Sequence, residues 1–131
     1  MLNGQMYYCI STVGNVKEAK WEGSNSDILR EQVGNLFLTK EDAEAEVEKR
    51  RVIAKLKKFA SPFEPYGYGN NFSIVFDCDT ESIIIEPVDS VGHTGRLIFR
   101  TMQDAQKAIR EVGEDNIIQF YLGIEVPEDA Y

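Results

Sequence analysis

The chain has 131 residues, with 22 acidic against 14 basic side chains and a formal net charge of −8. That is enough length for one domain to remove roughly two thirds of its unfolded surface from water. The charge disfavours a phosphate-rich partner, because affinity for nucleic acid comes largely from Lys and Arg displacing counterions; nucleic acid is not expected, and a basic or apolar protein surface suits the chain better.

In chain order, Met1 to Met6 lacks the basic stretch and apolar run of a secretory signal. No apolar run approaches the about 20 residues of a membrane span, so no membrane association and a cytoplasmic location are expected. Tyr7 to Ser11 and Val16 to Trp21 read as a hairpin across Val13-Gly14-Asn15, a Gly-Asn turn cue. A short apolar strand, Leu36-Phe37-Leu38, then runs directly into a helix at Thr39-Lys40-Glu41-Asp42-Ala43. Thr39 stands where an N-cap hydroxyl accepts from first-turn amides, and Asp42 sits at the third helical position, favoured by the helix dipole.

That helix should run from Lys40 to about Phe59. Its apolar residues lie on two sides: Ala43, Val47 and Ala54 on one, Ala45, Val52, Leu56 and Phe59 nearly opposite. A helix apolar on two sides must be covered twice, so a homo-oligomer formed through residues 40–59 is expected. Its acids gather in the N-terminal half and its bases, Lys49 to Lys58, in the C-terminal half, as the helix dipole favours; solvated surface explains them better than a nucleic-acid patch.

Residues 60–71, rich in Pro, Gly and Asn, break regular structure and mark a connection. Phe72 to Phe76 and Ile83-Ile84-Ile85 then form a second hairpin across Asp77-Cys78-Asp79-Thr80-Glu81. Ile98-Phe99-Arg100-Thr101-Met102-Gln103-Asp104-Ala105 repeats the strand, cap and helix of the first half, the two Thr-x-x-Asp-Ala strings superposing. Ala105, Ala108, Ile109 and Val112 form one apolar stripe ended by Gly113, and a further short helix runs from about Asp115 to Leu122.

The expected fold is therefore α+β: an internal duplication of a β-β-β-α unit, with antiparallel sheets packed by one long and two shorter helices. It forms a single domain over 1–131, with copies at about 6–59 and 72–124, a connecting loop at about 60–71 and a fraying tail at 125–131.

Chemistry-bearing groups are sparse. His93 is the only histidine, in Ser90-Val91-Gly92-His93-Thr94-Gly95-Arg96. It reads as a turn, or as an anion-contacting loop with Arg96; a lone His builds neither a catalytic triad nor a common zinc site. Asp77, Asp79, Glu81 and Glu86 imitate the start of a calcium loop, but Ser82 replaces the turn Gly and Val88 the bidentate Glu. Cys9 and Cys78 are too few for a disulfide framework and are expected to be reduced and buried. No catalytic, metal-binding or cofactor residue is assigned. Phe63, Tyr66, Tyr68 and Phe72 cluster about the connection, and Trp21 joins Tyr7 and Tyr8 in the first hairpin. These aromatics either fold back as a lid on the core or meet a partner. The candidate contacts are Phe63, Tyr66, Tyr68, His93, Arg96 and Trp21.

The strings Gly34-Asn35-Leu36-Phe37-Leu38-Thr39-Lys40-Glu41-Asp42-Ala43-Glu44 and Phe99 to Ile109 resemble small accessory proteins encoded by phages and prophages of Gram-positive bacteria. The resemblance implies a viral product acting in the bacterial cytoplasm and carries no active site. The expected function is non-enzymatic: binding a bacterial host protein, such as a defence factor, and inhibiting or redirecting it. The alternatives are a small-ligand or nucleotide-signal binder with an intersubunit pocket, and a weak metal-dependent enzyme.

Overall fold

Residues 1–67, 69–88 and 95–125 are described in the computed structural model. They form an α+β arrangement of two small antiparallel sheets with four α-helices among the described residues. The chain divides into two compact units, Met1–Arg50 and Arg51–Tyr131. No described helix is long and apolar enough to cross a membrane.

In the first unit, β1 (Met6–Ile10) pairs with β2 (Val16–Lys20) in the register Tyr7↔Ala19 and Cys9↔Lys17. The turn closes with Ser11 N donating to Asn15 O at 2.8 Å, and Gly14 takes a positive φ of 83° that a side chain would strain. Helix α1 (Asn25–Gln32) follows, an element that hydrophobic periodicity did not announce. Its ends are set by polar chemistry. Ser24 and Asp27 form a reciprocal capping box at the start. At the end, Gly34 N donates to Glu31 O and Asn35 N to Arg30 O, a Schellman motif that needs the positive φ of Gly34.

That motif delivers Asn35 to β1. Its Oδ1 accepts from Ile10 N at 2.7 Å and its Nδ2 donates to Ile10 O at 2.9 Å, so a side-chain amide stands in for a strand residue. Two residues on, Tyr8 and Phe37 exchange backbone hydrogen bonds of 2.8 and 2.9 Å. Thr39 then caps α2 (Lys40–Lys57), its Oγ1 accepting from Asp42 N at 3.1 Å.

The second unit pairs β3 (Phe72–Asp77) with β4 (Ser82–Pro87), in the register Phe72↔Pro87 through Asp77↔Ser82. Phe72 and Phe99 exchange backbone hydrogen bonds of 2.9 and 2.8 Å, and Thr101 Oγ1 accepts from Asp104 N at 3.0 Å to cap α3 (Met102–Val112). Helix α4 (Glu114–Asn116) runs into a π-helical turn, Ile117–Tyr121. The core joins Val52 and Leu56 of α2 to Ile74, Phe99, Ala105, Ala108, Val112 and Ile117.

The outer edge of β4 is blunted. Strand alternation turns the amides of Ile83 and Ile85 away from β3. Glu114 Oε1 accepts from Ile83 N at 3.2 Å, and Pro87 has no N–H to offer.

The buried apolar residues of α2 divide along its length. Ala43 and Val47 are buried in the part of the helix that belongs to the first unit, and Val52 and Leu56 in the part that belongs to the second. Ala45 and Ala54, one from each apolar side, are exposed. The division between the units falls inside α2 rather than in residues 60–71, because Val52 and Leu56 join the second core. The expectation of two buried cysteines holds for Cys9 and fails for Cys78. It is exposed while Cys9 is buried, because it falls in the turn between β3 and β4.

The matched caps make a direct test. Thr101→Ala should lower stability by about 0.5–2 kcal/mol in equilibrium denaturation, whereas Phe99→Ala, which empties a fully buried position, should cost about 3–5 kcal/mol.

Candidate functional site

Two polar constellations stand out, one in each unit. In the first, Tyr7 is fully buried and its hydroxyl donates to Asp27 Oδ1 at 2.5 Å while accepting from Arg30 Nη1 at 2.8 Å. Asp27 is only 3% exposed. Its Oδ2 accepts from Glu22 N at 2.8 Å and Ser24 N at 3.2 Å. The Trp21 ring meets Tyr7 edge-on, with centroids 6.3 Å apart and planes at 65°.

The Tyr7 hydroxyl, and after it the Glu22 amide, hold the Asp27 carboxyl down to about 2. Burial, then the bond to Asp27, pushes the Tyr7 phenol above its ordinary value. A carboxylate this acidic, with both oxygens engaged, is a poor general base near neutral pH. The cluster ties α1 to β1.

In the second unit, the connection between α2 and β3 is built around Asn71, which is buried. Asn71 Oδ1 accepts from Glu64 N at 2.9 Å, and Nδ2 donates to Glu64 O at 2.7 Å. Gly67 N also donates to Glu64 O at 3.2 Å, and Asn70 N to Gly67 O at 3.0 Å. A Cβ on Gly67 would lie 2.8 Å from Glu64 Cβ, so only glycine fits there. Glu64 Oε1 is held in turn by Arg100 Nη2 at 3.1 Å. On this pinned turn, between Pro65 and Gly67, Tyr66 is 93% exposed.

The candidate aromatics thus divide. Phe72 is half-buried against the core, Phe63 is half-buried, and Tyr66 stands in solvent on the same loop as Phe63. Trp21 belongs to the first unit, where it is half-buried and packs on Tyr7. Arg96 is exposed, beside Leu97, whose amide donates to Tyr121 Oη at 2.9 Å. Tyr68 and His93 lie outside the described residues, as do most of the loop around His93 and residues 126–131 of the tail.

Among the described residues, no group of three or more His, Cys, Asp or Glu side chains is arranged to hold a metal ion. At the tip between β3 and β4, Asp77 Oδ1 accepts from Asp79 N at 2.9 Å, and Glu81 adopts a positive φ of 52°. Both are features of a tight turn. Asn71, Glu64, Gly67 and Arg100 were not among the residues singled out from sequence. The one available signal was the Asn70-Asn71 pair in a Pro/Gly stretch.

No protein-family model, curated protein or solved structure matches the chain.

The Asp27 cluster predicts acid sensitivity of known sign. A carboxyl whose pKa is lower folded than unfolded contributes stability that is complete above its unfolded value near about 4 and is lost as pH falls through its folded value. Denaturation midpoints measured between about pH 5 and pH 2 should fall with pH for the native chain, and the fall should be shallower for Asp27→Asn, which cannot titrate there.

Proposed function

We propose that this chain is a non-enzymatic binding protein that engages a protein partner through the loop bearing Tyr66 and Phe63. The observation that carries the reading is the contrast within that loop. Its backbone is fastened by a buried amide, a sterically required glycine and the Glu64–Arg100 ion pair, yet its most prominent aromatic side chain touches little of its own fold. A tyrosine presented on a pre-ordered turn gives up little conformational entropy on binding, and Tyr is enriched among residues that dominate interface energetics.

The partner we propose is a bacterial host protein, such as a defence factor, met in the host cytoplasm, with the chain as a phage accessory protein. This rests on the resemblance of the two cap-and-helix strings and on the net charge of −8, which suits a basic or apolar protein surface.

We further propose that the two units are copies of one β-β-β-α unit. Two parallels support this. In each unit a phenylalanine pairs reciprocally with the first strand of the hairpin, Phe37 with Tyr8 and Phe99 with Phe72. In each, a threonine two residues later caps the next helix. Helix α1 then counts as an insertion between β2 and the Phe37 bridge of the first copy.

The test is comparative. Immobilised native protein should retain one Gram-positive host protein at near-stoichiometric level, and Tyr66→Ala should weaken that interaction by about 2 kcal/mol or more, roughly 30-fold. Retention of nothing by the native chain, or equal retention by Tyr66→Ala, defeats the proposal.

A further inference from the structure

Helix α1 is assembled inside out. Its inward residues are polar: Asp27 is buried and Arg30 half-buried, both committed to Tyr7. Its aliphatic residues face solvent, with Ile28 41% exposed, Leu29 59% and the C-cap Val33 74%. At about 100° per residue, Ile28, Gln32, Leu29 and Val33 fall on one side of the helix, opposite Asp27 and Arg30. A buried polar cluster and an exposed apolar ridge on one helix is the inverse of what folding alone favours, and each departure calls for a reason. The hydrogen bonds of Asp27 account for the buried side. The ridge has no such account within the first unit.

We infer that this ridge is the contact through which a second copy of the chain associates. The ridge is suited to meeting its own copy. A two-fold contact sets a patch against itself, so a charged residue near its centre meets its own like charge. Copies carrying −8 each repel in any case, which penalises every charged face further. Helix α1 avoids both problems. Its exposed residues are Asn25, Ser26, Ile28, Leu29, Glu31 and Gln32. Of these only Glu31 is charged, and it falls away from the Leu29–Val33 ridge on the helix wheel; the partly exposed Arg30 beside Val33 is held by the Tyr7 hydroxyl and the Asp27 carboxylate. Asn, Ser and Gln each donate and accept, so they can pair with their own copies as a carboxylate or an ammonium cannot. Elsewhere in the first unit, β2 exposes Lys17, Glu18 and Lys20, and the first turns of α2 expose Lys40, Glu41, Asp42 and Glu44. A partner with a charged docking surface would find little on α1 to answer it.

The size of the contact sets its strength. An eight-residue helix is about 12 Å long, so α1 packed on its copy belongs with the small, transient interfaces below about 1,200 Å². Association is therefore weak, reversible and dependent on concentration.

Sedimentation equilibrium of the full chain, from low micromolar to near-millimolar, tests this beside three single variants. Circular dichroism melting checks that each folds. The native chain should shift from monomer toward dimer as concentration rises. Leu29→Lys and, independently, Val33→Lys should each weaken dimerisation by about tenfold or more, with Tyr66→Ala dimerising like the native chain. Both lysine positions are well exposed, so neither change should unfold the unit. A native chain that stays monomeric throughout overturns the inference, as does a dimer unaffected by both lysine variants or one lost with Tyr66→Ala.

Discussion

Much of this architecture depends on one short-range constraint: a phenylalanine hydrogen-bonded in both directions to the first strand of a hairpin, two residues before a helix begins. At Phe37 and Phe99 the backbone is locked to Tyr8 and Phe72, and the helix starts at Lys40 or Met102 with no slack between. The direction of each helix is then set by strand geometry and a threonine cap rather than by a loop free to sample. In the second unit this lays Ala105, Ala108 and Val112 over Ile74 and Phe99, so that one stripe of small and branched side chains closes the core. Without the pairing at Phe99, the stripe would have no fixed surface to meet.

Around this frame, the irregular segments are held by side-chain polar groups acting as backbone. Asn35 pairs with both the amide and the carbonyl of Ile10, and Asn71 does the same with Glu64. Asp27 gathers the amides of Glu22 and Ser24 and the hydroxyl of Tyr7. The buried Asp27 carboxylate and the buried Asn71 amide are both matched, which is the condition under which such networks specify a structure instead of weakening it. Fastening loops this way releases apolar side chains from holding them down. Leu29, Val33 and Tyr66 are accordingly on the surface although the segments that carry them are well anchored.

The parts legible in the sequence were those with a periodic or positional signature. Alternation and turn residues located both hairpins, Thr-x-x-Asp-Ala located both caps, and the Ala105 to Val112 spacing located the buried face of α3. Helix α1 escaped because its apolar residues face outward, so the stripe that marks an ordinary surface helix was missing. Its real signals were the Ser24-x-x-Asp27 box and the Gly34 terminator, which speak of ends and not of faces. The loop carrying Tyr66 was recognised as a connection. Its order was not, since that comes from Asn71 reaching back seven residues to Glu64, a contact no local pattern encodes. In α2 the periodicity showed two apolar sides, and burial divides them along the helix: Ala43 and Val47 are buried in one unit and Val52 and Leu56 in the other.

The Val52 and Leu56 pair of α2 limits how the chain can change over time. Because these positions lie about one helical turn apart and both enter the second core, the angular phase between them is part of the design. Insertion or deletion of a single residue between them would turn one by about 100° relative to the other and swing it out of the core or a charged neighbour into it. Most surface connections tolerate insertions and deletions readily. The stretch between Val52 and Leu56, whose Ala54 and Lys55 side chains are exposed, should accept substitutions at those two positions and length changes hardly at all.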